Sequence, residues 1–241
     1  MPVAIVTGAS RGIGRAVSIQ LAHDGFDVGV NYTRGKDDAE TVVREIQNLG
    51  RLAIDVQADV SQEEQVERMF SEVEEKLGKV SVLVNNAGVM NLAKISEAKV
   101  DLFDQTFAVN VRGVFNTLQQ ASTRLTEGGR IINLSTSAIA LAPPSYGLYT
   151  ASKAAVESMS YVFAKELRGR HITVNCVAPG PIATELFLRG KSAEQVQQAA
   201  KAPPLERLGE PEDVARAVSF LAGEKGAWVN AQVIRVNGGI I

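Results

Sequence analysis

At 241 residues, 45% of them hydrophobic and 22% charged, the chain is long enough to bury the core of one large α/β domain. A formal net charge of −2 argues against nucleic acid or an anionic membrane surface as the main partner. The single Cys176 excludes an intrachain disulfide, and with only His23 and His171 beside it no His/Cys metal cluster can assemble, so no metal site is expected.

Short β-branched runs alternate with helical patterns along the chain. The expected strands are Val3–Thr7, Asp27–Tyr32, Leu52–Gln57, Val80–Asn85, Arg130–Leu134, Thr173–Val177 and Gln232–Val236. The expected helices are Gly12–His23, Asp37–Asn48, Gln62–Lys76, Lys99–Leu125, Tyr149–Leu167 and Pro211–Leu221. Apolar strands separated by helices imply a doubly wound, parallel, seven-stranded sheet with helices on both faces and right-handed crossovers. No linker or change of composition divides residues 1–241, which read as a single domain. Met1 leads directly into a strand-like segment, with no signal peptide or transmembrane span, so a cytoplasmic protein is expected.

The turn Thr7-Gly8-Ala9-Ser10-Arg11-Gly12-Ile13-Gly14 follows a strand and opens a helix. Its three glycines allow a tight turn that brings free amides and the helix dipole against a pyrophosphate, the Rossmann-type arrangement for a dinucleotide. The second strand ends Asn31-Tyr32-Thr33-Arg34, with no acid before Asp37 to hold ribose hydroxyls as an NAD site does. Arg11 and Arg34 suit a 2′-phosphate instead, which favours NADP(H); the alternative is two solvated surface arginines.

Asp59-Val60 closes the third strand, where Asp59 either reaches the adenine edge or caps the next helix. Asn85-Asn86-Ala87-Gly88 ends the fourth strand, either at the ligand edge of the sheet or as turn chemistry. Asn110 lies inside an apolar helix, where a buried asparagine must be hydrogen-bonded. Three hydroxyls, Ser135, Thr136 and Ser137, end the fifth strand.

Tyr149 and Lys153 stand four residues apart on one helical face, so that a cation can draw down a phenol whose ordinary pKa is about 10. After the sixth strand, Pro179-Gly180-Pro181-Ile182-Ala183-Thr184 forms a rigid turn. The segment 185–204 then reads as a long irregular connection with exposed apolar groups: a lid over a substrate, or a subunit contact.

Taken together, these motifs resemble the short-chain dehydrogenase/reductase family in its compact single-domain branch, over essentially the whole chain. The shared features are the Thr7–Gly14 turn, Asn85–Gly88, Asn110, Tyr149 with Lys153, and Pro179-Gly180. The likeness extends to β-ketoacyl reductase-like and polyhydroxynaphthalene reductase-like members, and so implies NADPH-dependent reduction of a small-molecule ketone or other carbonyl to a secondary alcohol. By resemblance, Tyr149 donates the proton, Lys153 holds the nicotinamide ribose and lowers the Tyr149 pKa, and Asn110 holds a water that connects Lys153 to solvent. Gly8, Ser10, Arg11, Ile13 and Gly14 cradle phosphates, Asp59 and Val60 contact adenine, and Asn86, Ala87, Gly88, Pro179, Gly180, Ile182 and Thr184 complete the cofactor site, with Tyr32, Thr33 and Arg34 at the 2′ end. The family's carbonyl-orienting serine, thirteen residues before the tyrosine, falls on Thr136, flanked by Ser135 and Ser137. A basic pair that docks acyl carrier protein resembles Arg170 here, but Glu127 stands at the second position, which disfavours a carrier-bound substrate. The family also implies a homotetramer through the long helices and the last strand. A non-catalytic NADP(H) sensor is the competing reading; an intact Tyr149 and Lys153 argue against it.

Overall fold

One parallel sheet of seven strands organises the chain, whose computed structural model describes all of residues 1–241. The strands are β1 (Val3–Val6), β2 (Asp27–Tyr32), β3 (Ala53–Gln57), β4 (Val80–Asn85), β5 (Arg130–Leu134), β6 (Thr173–Pro179) and β7 (Val233–Val236). They lie in the order β3-β2-β1-β4-β5-β6-β7, every neighbouring pair parallel. The direction of winding therefore reverses between β1 and β4, where a doubly wound Rossmann-type sheet opens a crevice at its carboxyl edge.

The helices are α1 (Gly12–His23), α2 (Lys36–Asn48), α3 (Glu63–Leu77), α4 (Val100–Phe107), α5 (Gly113–Arg124), α6 (Ala138–Leu141), α7 (Gly147–Glu166), α8 (Glu185–Leu188), α9 (Ala193–Lys201) and α10 (Pro211–Ala222). The strand side chains alternate between two apolar layers. Ala4, Val6, Val28 and Val30 pack with Leu21 of α1, Ile46 of α2 and Val218 of α10. Val3, Ile5, Leu83 and Ile131 pack on the other face with Phe70 of α3, Leu118 of α5 and Val156 of α7. This two-sided burial explains why the strands read as continuous β-branched runs rather than alternating ones. No helix is long and apolar enough to cross a membrane.

Several boundaries differ from the sequence expectation for visible reasons. Strand β3 starts at Ala53 because the Leu52 amide donates to the Asp27 carboxylate at 2.8 Å. Strand β7 starts at Val233 because the Gln232 amide is taken by the Asn175 side chain at 3.0 Å. The helix expected over Lys99–Leu125 is interrupted between α4 and α5 by a π-helical turn, Ala108–Arg112, centred on Asn110. The connection 185–204, expected to be irregular, contains α8 and α9. The Thr184 hydroxyl caps the first by accepting from the Phe187 amide, and a Ser192–Gln195 capping box opens the second.

Candidate active site

At the crevice, β1 and β4 are pinned together by short polar side chains. The Thr7 hydroxyl accepts from the amides of Asn86 and Ala87, both at 3.0 Å, and Asn86 Nδ2 donates to the carbonyls of Thr7 and Gly8, both at 2.9 Å. From the β2 side, Asn31 Oδ1 accepts from the Gly8 amide at 3.1 Å while Nδ2 donates to the carbonyls of Val56 and Ala58. The Asn86 amide is thus used to shape the glycine turn. Thr7 and Asn31, quoted in the sequence only as members of their motifs and given no role of their own, do the same work.

Gly8 has φ +60, and a Cβ there would stand 2.9 Å from Ala87 Cα. A Cβ on Gly14 would lie 2.2 Å from the Gly8 carbonyl oxygen. Helix α1 starts beyond this turn with no side-chain cap and no acid in its first turn. Its leading amides are directed at an open, anion-favouring cradle, which fits a dinucleotide pyrophosphate. Ser10 is half-buried in the turn, and Ile13 lines the adjoining cavity.

The carboxyl end of β2 carries no acid. Thr33 and Arg34 are exposed, and Arg34 makes no ion pair. Arg11 does: its guanidinium meets Glu185 at 2.9 Å, and Glu185 also binds Arg189 at 3.0 Å. Tyr32, expected at the cofactor, turns its ring into the core beside Val30, so its side chain is a packing group. Asp59 accepts from the amide and hydroxyl of Ser61 at 2.9 and 2.8 Å, closing the local turn; the residue at the N-cap of α3 is Gln62. Val60 is buried, its carbonyl accepting from Asn116 at 2.9 Å.

Tyr149 lies in the first turn of α7 and Lys153 one turn on. Burial pushes the Tyr149 phenol up to about 12, and the Thr136 hydroxyl acts in the opposite direction by hydrogen bonding. Lys153 is 4% exposed; its Nζ donates to the Leu134 carbonyl at 2.7 Å, and burial lowers its pKa to about 8. The Lys153 ammonium is directed at the end of β5 and is itself disfavoured by desolvation, and burial is the dominant influence on the phenol.

Of the three hydroxyls after β5, the Ser135 hydroxyl donates to Glu157 Oε1 at 2.5 Å. The Ser137 hydroxyl donates to the Ala178 carbonyl at 2.9 Å and accepts from Asn237 Nδ2 at 3.0 Å. The Thr136 hydroxyl accepts only from the Ala138 amide, at 3.2 Å, and all three residues line the cavity with Tyr149.

Asn110 is wholly buried, with both Nδ2 donors used and one acceptor position on Oδ1 left over. Its Oδ1 accepts from the Val89 amide at 2.8 Å, and Nδ2 donates to the Val89 carbonyl and the Ser152 hydroxyl, both at 3.0 Å. Ser152 in turn donates to the Tyr149 carbonyl at 2.7 Å, tying the π-helical turn to the start of α7. A Cβ on Gly88 would meet Asn110 Oδ1 at 3.3 Å and Lys153 Nζ at 3.5 Å, so both groups converge on that glycine.

Pro179 ends β6, and the Gly180 amide donates to the Val236 carbonyl at 2.9 Å. Ile182 is 5% exposed, and Thr184 serves as the cap of α8. These residues and Tyr149 border a cavity of about 300 Å³ that is also lined by Leu141, Pro143, Tyr146, Leu186 and Phe187. Tyr146 meets Tyr149 edge to face with centroids 6.3 Å apart. Apolar side chains from α6, the start of α7 and α8 thus share the cavity with a phenol, a threonine hydroxyl and a lysine. On the outer surface, Arg170 is neutralised by Glu127 at 2.9 Å and donates to the Ser122 and Leu125 carbonyls.

The family model described as Enoyl-(Acyl carrier protein) reductase matches residues 8–241. A "Short-chain type dehydrogenase/reductase" of Picea abies is 47% identical, covering 98% of this chain and 91% of the relative. An "NADPH-dependent aldehyde reductase-like protein, chloroplastic" of Arabidopsis thaliana is 48% identical, covering 99% and 94%. The crystal structure of a short chain dehydrogenase from Burkholderia cenocepacia J2315 in complex with NADP superposes with a TM-score of 0.94 at 36% identity, covering 99% of this chain and 97% of that one. With the family model spanning residues 8–241 and relatives near half-identical over almost the whole chain, the chain belongs to the short-chain dehydrogenase/reductase family.

Proposed function

We propose that the protein is an NADP(H)-dependent reductase of small ketones and aldehydes, giving the corresponding alcohols. The observation that carries this reading is Tyr149 beside Thr136, one turn from Lys153, at the edge of an apolar cavity that adjoins the glycine cradle. NADPH supplies hydride to the carbonyl carbon when bound. Thr136 orients the carbonyl oxygen, and Tyr149 donates its proton to that oxygen as negative charge develops there. With a pKa near 12 the phenol is protonated throughout the neutral range, as a proton donor must be. Lys153 holds the nicotinamide ribose, and Asn110 positions a water at the convergence point near Gly88 for reprotonation. Glycines 8 and 14 with Ser10, Ile13 and Thr184 hold the phosphates and nicotinamide. Arg34, exposed and unpaired at a strand end without an acid, selects the 2′-phosphate. Residues 185–204 act as the substrate lid.

The Arg170–Glu127 pair favours free substrates over carrier-bound ones, since the basic side chain is already neutralised. Exposed Phe115, Val162 and Trp228 support a homotetramer, which light scattering from a monomer would contradict. The reductase reading is tested by following NADPH and NADH oxidation with a ketone and aldehyde panel that includes crotonyl-CoA, for wild type and Tyr149→Phe. NADPH-dependent turnover of carbonyls, lost in the variant, is the expected result. Preference for crotonyl-CoA would indicate an enoyl reductase, as the matching family model is described. Tight NADPH binding with no turnover would indicate a sensor.

A further inference from the structure

Only two charged residues line the cavity, Lys153 and Lys191, and no Asp or Glu faces it. Lys153 is committed to the Leu134 carbonyl beside Tyr149. Lys191 borders the same cavity from the short link between α8 and α9, and is half-buried. Its ammonium lies 4.3 Å from the Phe187 ring centroid and donates to the Phe187 carbonyl at 2.5 Å. An ammonium has three N–H donors, so this arrangement leaves two for a ligand. Lys191 has no carboxylate within ion-pair distance, and the nearby Glu185 is held by Arg11 and Arg189.

A cation kept partly out of water against an apolar wall, without a counter-charge from its own chain, is matched by an anion that arrives with the ligand. The phosphate cradle at Gly8–Gly14 has its own free amides for the cofactor's anions, and its Arg11 is already joined to Glu185 at the start of α8. Lys191 and Tyr149 line one cavity from separate segments of the chain, so a ligand whose carbonyl meets Tyr149 can present a second group to Lys191.

We infer that Lys191 binds a carboxylate on the substrate, so that the preferred substrates are oxo acids: ketones or aldehydes carrying a carboxylate at the end away from the reacting carbonyl. Lys191 is then a specificity residue, and the cation–π contact with Phe187 holds it in place before the substrate arrives. The inference rests on the reductase reading above.

The test compares levulinate with its methyl ester, and succinic semialdehyde with butanal, at saturating NADPH, in wild type, Lys191→Met and Lys191→Arg. Wild type should favour the acid of each pair. Lys191→Met should reduce that acid-to-neutral ratio of kcat/KM about tenfold, chiefly through KM, the scale of one charge-assisted hydrogen bond at a half-exposed site. Lys191→Arg should retain most of it. A wild type that prefers the neutral partners, an equal fall for both members of each pair, or a weakened NADPH dissociation constant in place of a changed ratio would each overturn the inference and leave the reductase reading intact. No turnover of any carbonyl compound would overturn both.

Discussion

Replacing Lys153 by Met should make the protein more stable at neutral pH while removing its activity. The ammonium is 4% exposed, has one hydrogen bond, and is lowered from its ordinary 10.5 to about 8. At 1.36 kcal/mol per pH unit, keeping it charged in the folded protein costs about 3 kcal/mol. Methionine has a similar length and no charge, but it leaves the Leu134 carbonyl without its partner, which takes back about 1–2 kcal/mol. The net gain of about 1–2 kcal/mol corresponds to a rise in Tm of about 2–8 °C for a chain of this size. Between pH 8 and 10.5 the folded protein has released a proton that the unfolded chain still holds, so wild-type stability rises with pH across that window. The advantage of Lys153→Met is therefore full below pH 8, shrinks towards 10.5, and above it becomes a deficit set by the unpaired carbonyl. Calorimetry without nucleotide is the suitable assay, because the only tryptophan, Trp228, lies outside both apolar layers and reports poorly on the core. A variant less stable than wild type at pH 7, or a difference that does not change with pH, would refute the reasoning.

Two further substitutions probe other parts of the site. Thr136→Val removes the hydroxyl that holds the Tyr149 phenol down, so less phenolate is present at any given pH. Alcohol oxidation, which needs that phenolate, should shift its alkaline rise to higher pH, and carbonyl reduction should fall about 100-fold with NADPH affinity retained; an unchanged pH profile would contradict this role. Gly14→Ala places a methyl 2.2 Å from the Gly8 carbonyl oxygen and 2.5 Å from Asn86 Nδ2, with no flexible chain end to give way. It should weaken NADPH binding by at least about 100-fold by calorimetric titration while circular dichroism still shows a folded sheet; near-normal affinity would mean that the turn is not the cradle.

Much of the scaffold was legible because its signals are local. Strand β2 was delimited from its residues alone, and the glycine turn and the Tyr149–Lys153 spacing each fit within a few positions. What escaped depends on contacts distant in sequence or on burial. Thr7 bonds Asn86 and Asn31 bonds Gly8 across 79 and 23 positions, which no local pattern records. The π-helical turn at Asn110 inserts one residue into a helix whose apolar pattern continues on both sides, so the sequence reads through it. The helix α9 did carry a signal: Ser192 followed three residues later by Gln195 is a capping box, obscured by Gly190 before it and Pro203-Pro204 after it. Spacing alone also leaves the environment of Tyr149 open. It puts the lysine one turn away but says nothing of where the ammonium points or of how strongly burial raises the phenol.

The central claim is that the cavity bordered by Thr136, Tyr149 and Lys153 reduces a carbonyl group by hydride transfer from NADPH. Its most direct test uses NADPH carrying deuterium at the reactive nicotinamide carbon, on one face or the other, with mass spectrometry of the alcohol formed. One deuterium on the carbinol carbon, delivered from one face only, is the predicted result. An alcohol free of deuterium from both labelled forms, or label recovered only from a reduced carbon–carbon double bond, would contradict it.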